Sequence, residues 1–152
     1  MKDFNSIILK NRRAKLNYFI SGSIEAGIVL KGTEVKSIRN GRVVIDNSYA
    51  IDKKGEIWIM NLYVELKESE QKNVKNDNLR PKKLLLNKKE INKLNIQIKQ
   101  NGLSLIPLDL HYNNKGFIKV LLGISKGRKK TDIREYKKQQ DWKRQKARLE
   151  KK

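Results

Sequence analysis

Residues 24–41, IEAGIVLKGTEVKSIRNG, change periodicity halfway along. Ile24, Ala26, Ile28 and Leu30 alternate with Glu25, Gly27, Val29 and Lys31, which is the period of a strand with one face on a core. Val29 makes the end of the run apolar on both sides, so that end is expected to be covered twice. Gly32 breaks the strand. Thr33 then fits the N-cap of a short helix, Val35 and Ile38 fall three apart on one of its faces, and Gly41 supplies the stop. Val43, Val44 and Ile45 begin another strand. A strand that feeds one short helix and returns to a strand predicts a small barrel plugged by that helix.

Downstream, strands are expected over 43–45, 48–51 and 57–64, with Lys53, Lys54 and Gly55 as the turn between the second and third. In the third, Ile57, Ile59 and Asn61 face one way while Trp58, Met60 and Leu62 face the other, so another element should cover part of it. Trp58 reads as packing before it reads as a base-stacking platform. Residues 65–80 hold few large apolar side chains and read as a long surface loop. Asn87 with Glu90 suggests a capping box, Ile91, Leu94 and Ile98 share a helical face, and Asn101-Gly102 ends that second helix. Two strands, 103–112 and 117–124, close the domain around the turn at 113–116. The expected fold is mainly β: a closed antiparallel barrel of about six strands, oligonucleotide-binding-like, with two or three helices.

Composition limits the function. A chain of 152 residues suits one domain, here 1–125, with an appended tail, 126–152. The 36 Lys and Arg outnumber 16 Asp and Glu for a net charge of +20, which predicts a polyanionic partner, nucleic acid first. Neither a lipidation signal nor a basic amphipathic helix with a broad apolar face supports a membrane partner. The absence of cysteine excludes disulfides, thiolate nucleophiles and Cys-ligated zinc. Ile7-Ile8-Leu9 is too short for a signal-peptide core, so the chain reads as soluble, cytoplasmic and monomeric. His111, the lone histidine, reads as a surface or half-buried strand residue. A metal-dependent nuclease needs converging carboxylates, and nothing in the spacing of Glu25 and Glu34 requires that they converge. With no phosphate-loop, nucleophile-elbow or zinc-protease motif, the expectation is binding, not catalysis, with no cofactor and no metal.

Two basic regions stand out. In residues 1–15, Asn11, Arg12, Arg13 and Lys15 form either a solvated arm capping the barrel or a phosphate grip. Residues 126–152 carry 13 Lys or Arg against 4 Asp or Glu, a net +9. Ile133 can share a helical face with Tyr136, and Trp142 with Leu149, but the two pairs point apart and leave no continuous stripe. The tail is therefore expected to be disordered when free and to become helical on a polyanion.

Several motifs resemble the bacterial SsrA-binding protein (small protein B) family. They are Phe19-Ile20, 25–30 (EAGIVL), 32–39 (GTEVKSIR), Ser48-Tyr49, 80–87 (RPKKLLLN) and 125–129 (SKGRK), in unbroken order over nearly the whole chain. The resemblance implies an RNA-binding adaptor of trans-translation. Its barrel would hold the tRNA-like domain of transfer-messenger RNA, and its tail would enter the empty mRNA channel of a stalled ribosome, near small-subunit rRNA. The rival reading is a ribosomal or initiation-type protein that stays on rRNA. The family's RNA contacts carry over to Asn11, Glu25 and Leu85, with Lys36, Arg80, Lys82 and Lys83 in the same matched motifs. The residues alone leave other roles open: a turn asparagine, a salt-bridged carboxylate, a core leucine. The resemblance sends the tail to the ribosome, and the residues expected there are Gly127, Arg128, Lys129, Lys130, Asp132, Arg134, Lys137, Lys138, Lys143 and Arg144, with Trp142 singled out as a large ring that has no core to join and can stack on a base. Thr131 stands where the family has a ring, Ile133 where it has a lysine, and Asn78 where it has a proline.

Overall fold

The computed structural model describes residues 6–67 and 77–150. Nine strands are β1 (Ile7–Lys10), β2 (Tyr18–Ile28), β3 (Val43–Val44), β4 (Tyr49–Lys53), β5 (Glu56–Met60), β6 (Tyr63–Val64), β7 (Lys82–Leu85), β8 (Ser104–Tyr112) and β9 (Ile118–Gly127). Four helices are α1 (Ala14–Asn17), α2 (Gly32–Arg39), α3 (Lys88–Asn101) and α4 (Lys130–Glu150). Seven strands form one sheet in the order β1-β8-β4-β5-β7-β2-β9, and β9 pairs back onto β8. The pairings β8-β4-β5-β7-β2-β9-β8 thus return to their start, while β3 and β6 pair separately. Strand occupies 38% of the described residues and helix 37%, the latter counting a 3-10 turn at Asp77–Leu79, so the fold is mainly a β-sheet with substantial helices around it.

One apolar cluster fills the centre. Ala26, Ile57, Ile59, Leu84, Leu105, Leu110, Val120 and Leu122 reach it from the strands, Ile38 from α2 and Leu94 from α3. Burying each Val, Leu or Ile side chain among them is worth about 1.5–3 kcal/mol, so the strands that supply them are held to their register by the core. The expected helix stops hold: Gly41 and Gly102 both have positive φ, 75° and 62°, which glycine adopts without a Cβ penalty. In α3 the Glu90 carboxylate accepts the Asn87 N–H at 3.0 Å.

Several details differ from the sequence reading. Strand β2 ends at Ile28 and Val29 is 45% exposed, so the end of the 24–30 run is not covered on both sides. The N-cap of α2 is Lys31, not Thr33, because the Glu34 carboxylate reaches back to accept the Lys31 N–H at 2.8 Å. Residues 57–64 do not form one strand. Asn61 takes a left-handed conformation (φ 57°), which breaks the alternation and turns Leu62 into the core instead of leaving it on the face of Trp58 and Met60. Ile7–Lys10 is not a solvated arm but a strand on β8. Of the proposed 65–80 loop, Leu66 is buried with its N–H on the Asn78 side chain, and residues 68–76 lie outside the described residues. The sheet also continues past residue 125, since Lys126 and Gly127 pair with Phe19 and Tyr18.

Candidate nucleic-acid interface

The register places four residues side by side across four strands. Gly27 of β2 lies opposite Leu85 of β7 on one side and Lys119 of β9 on the other, and Lys119 in turn lies opposite His111 of β8. The next row of the same face runs Glu25, Leu121, Asp109. Gly27 is the floor of this surface. A Cβ there would stand 3.1 Å from the Leu85 Cβ and 3.4 Å from the Lys119 Nζ, so glycine lets these two side chains close over the strand. Leu85 is 53% exposed and the neighbouring Phe117 64%. With Arg39 of α2 they line a hollow of about 300 Å³ against Gly27 and Lys119. Exposed apolar side chains beside fixed cations suit a nucleotide, whose base stacks while its phosphate is neutralised.

Beside this hollow, His111 bridges two carboxylates. Its Nε2 is 2.7 Å from the Glu25 Oε2 and its Nδ1 2.7 Å from the Asp109 Oδ1. Burial disfavours the charged ring, but the hydrogen bonds to Glu25 and then Asp109, with the charges of both, prevail and hold its pKa above the usual 6.5. Glu25 is thus ion-paired to histidine, not to Arg or Lys.

The residues expected on RNA do not all meet here. Glu25 and Leu85 do. Lys36 is exposed on α2, but Arg39 is the cation of that helix that lines the hollow. Lys82 corrects the sequence reading outright. Its side chain is fully buried, its ammonium 3.6 Å from the Glu34 carboxylate and 2.8 Å from the Arg80 carbonyl, so it has no surface to offer a phosphate. Arg80 is likewise committed to Glu34, donating from Nε at 3.2 Å, and Lys83 pairs with Glu56 at 3.3 Å. The alternating β7 pattern, which turns Lys82 inward with Leu84, was the available signal. Asn11 is buried and structural in part: its N–H donates to the Leu108 carbonyl at 2.7 Å and its Nδ2 to the Pro107 carbonyl at 2.9 Å. Arg12, Arg13 and Lys15 are exposed around it, and Arg13 lines a different hollow with Asp46, Asn95 and Lys99.

The tail root is built onto the sheet. The Arg128 N–H donates to the Asn17 carbonyl at 2.8 Å and its Nε to the Lys15 carbonyl at 3.1 Å. Its guanidinium lies over the Phe19 ring (3.8 Å to the centroid) and the Tyr136 ring (4.4 Å). Asp132 accepts the Lys129 N–H at 3.3 Å in the first turn of α4. Gly127, Arg128 and Asp132 therefore shape the junction. Beyond it α4 buries no residue; Arg134, Lys137, Lys138, Lys143 and Arg144 are exposed, and Trp142 is 66% exposed with no partner face. Among the described residues no helix is long and apolar enough to cross a membrane.

Sheet, face and projecting cationic helix together define a basic binding protein suited to a polyanion. A family model described as SmpB protein matches residues 8–152, and the chain belongs to that family. It is 49% identical over 144 residues to the SsrA-binding protein of Nitrobacter winogradskyi, covering 94% of this chain and 90% of the relative. It is 48% identical over 146 residues to that of Allorhizobium ampelinum, covering 95% and 91%. A solved chain from work described as "tmRNA-SmpB: a journey to the center of the bacterial ribosome" superposes with a TM-score of 0.63 at 44% identity, covering 80% of this chain and 85% of that one.

Proposed function

We propose that the protein is a non-enzymatic RNA-binding adaptor of trans-translation, which binds the tRNA-like domain of transfer-messenger RNA and brings it to stalled ribosomes in the cytoplasm. The observation that carries the reading is the side-chain-free floor at Gly27, flanked by Leu85, Lys119 and the exposed carboxylate of Glu25. Leu85 and Phe117 cover a base or ribose face, Lys119 and Arg39 neutralise phosphate, and Glu25 accepts from a base amino group or a ribose hydroxyl, where another cation could not. The membership of the family and the likeness to a tmRNA–SmpB assembly supply the identity of the RNA.

We read the returning circuit of six strands as a closed barrel of oligonucleotide-binding type. Residues 126–152 are assigned to the ribosome. Held at its root, where Arg128 stacks on Tyr136, α4 is expected to lose its helical form beyond that root in the free monomer and to regain it in the mRNA channel, where Arg134, Lys137, Lys138, Lys143 and Arg144 meet rRNA phosphates. Thr131 and Ile133 supply neither ring nor charge, so the cations after them carry that contact. Sequencing the RNA that co-purifies with the protein tests the reading. One small RNA with a tRNA-like end, substoichiometric to ribosomes, is expected; rRNA alone would favour a resident ribosomal protein.

A further inference from the structure

The ring of His111 faces a carboxylate oxygen at each nitrogen, both at 2.7 Å. An ionised carboxylate only accepts hydrogen bonds, and a neutral imidazole has one donor and one acceptor. Both contacts are therefore satisfied together by the imidazolium, with a proton on Nε2 for Glu25 and on Nδ1 for Asp109. When the ring loses a proton, one nitrogen presents its lone pair to a carboxylate and that contact turns repulsive. The two carboxylates are not equally free to leave. The Asp109 side chain is 14% exposed and two residues away on the same strand, whereas that of Glu25 is 51% exposed and comes from β2. Glu25 is the one released.

Cations also face the cluster. Lys119 of β9 lies opposite His111, and Lys10 of β1 lies opposite Asp109, while the β1 partner of His111 itself is the apolar Ile7. They favour the neutral ring, yet the two carboxylates in direct contact outweigh them together with burial, and the ring's pKa stands above 6.5.

We propose that His111 is a positioning residue for the RNA face: protonated, it clamps Glu25 with one carboxylate oxygen turned to the RNA, and deprotonated, it frees Glu25 and strips a positive charge from that face, so that RNA affinity falls as pH rises. The inference rests on the RNA-binding reading above, and the two fail differently. Protonation does two things at once here. It fixes the rotamers of a long carboxylate before binding, which lowers the ordering cost, and it offsets the negative potential that Glu25 and Asp109 would present to phosphates.

The chain contains one histidine, so the ring resonances in a proton NMR spectrum belong to His111 alone. The test titrates the full chain with a transcribed tRNA-like domain at fixed salt between about pH 6 and about pH 8.5. Wild-type affinity should fall about three- to tenfold over that range. His111→Gln should bind with a flat pH response near the wild-type value at the alkaline end. In NMR, Glu25→Gln should move the His111 titration to lower pH, and adding RNA to the wild type should move it to higher pH, a shift that a merely structural histidine would not show. A pH response that survives His111→Gln, or a His111 titration unmoved by Glu25→Gln, overturns the inference and leaves the RNA reading standing. Wild-type protein that binds no such RNA at any pH overturns the proposed function and this inference with it.

Discussion

The carboxylate of Glu34 lies 3.6 Å from the ammonium of Lys82, with the two side chains 1% and 0% exposed. Arg80 covers the pair from outside, and the Lys31 N–H completes it. The contact ties the first turn of α2 to β7 and the segment that precedes it. Glu34→Gln leaves a buried ammonium without its counter-charge, and breaking such a pair costs about 3–5 kcal/mol. Urea denaturation should read a loss of that order for Glu34→Gln. A change within the range of ordinary surface substitutions would mean that Lys82 finds other partners without cost.

The same residue sets an acid limit. Burial raises the Glu34 pKa, but hydrogen bonds from Arg80 and Lys31 and the charges of Lys82 and Arg80 prevail and hold it below 4.5. A depressed folded-state pKa contributes stability that is present above the unfolded value and lost as pH falls through the folded one. Stability should therefore decline as pH drops below about 4.5, and Glu34→Gln should flatten that part of the profile in a series of urea midpoints.

At the RNA face, Leu85→Asp should weaken binding of the tRNA-like domain about tenfold or more, as a carboxylate replaces an exposed apolar contact beside phosphate. Gly27→Ala should weaken it as well, since a methyl 3.1 Å from the Leu85 Cβ and 3.4 Å from the Lys119 Nζ fills the floor between them and shifts both by a few tenths of an ångström. Filter binding with circular dichroism as a fold control checks both. Wild-type affinity for both variants would move the RNA off this face.

Arg128 is the fastening of the tail. Stacked between Phe19 and Tyr136 and bonded to the Lys15 carbonyl, it fixes where α4 leaves the sheet. A cation–π contact contributes about 0.5–1 kcal/mol at an exposed site, enough to bias an otherwise unsupported helix. Spin labels at Lys10 and Gln139 should report a broader distance distribution in Arg128→Ala than in the wild type. An unchanged distribution would place the fastening in the backbone hydrogen bonds alone.

What was legible in the sequence was local. The alternation at 24–30, the glycine stops at Gly41 and Gly102, the capping pair Asn87 and Glu90, and the 113–116 turn are each written within a few neighbouring residues. There Asn113 accepts the Lys115 and Phe117 N–H groups on its side chain. What escaped depended on distant partners. Four residues of β1 become a strand only because β8 lies beside them, about a hundred positions away. Lys82 looks like one more surface cation until Glu34 is placed opposite it. His111 and Glu25 stand 86 residues apart and meet only through the β2-β9-β8 register. Of the proposed RNA face, Glu25 and Leu85 were named through the family resemblance, whereas Lys119, Arg39 and His111 needed the sheet to bring them beside those two.

Peptide tagging on ribosomes stalled at the end of a truncated message tests the central claim most directly. Arg128 and Lys129 belong to the junction, so the informative chain ends at Lys129 and keeps the Arg128 contacts to Asn17 and Lys15. A 21-residue helix at 1.5 Å per residue reaches about 30 Å, a span that the compact sheet cannot supply. The shortened chain should bind the tRNA-like RNA as the full chain does, with the same dependence on salt, yet produce no tagged peptide. Tagging at the full-length rate by the shortened chain would contradict the account.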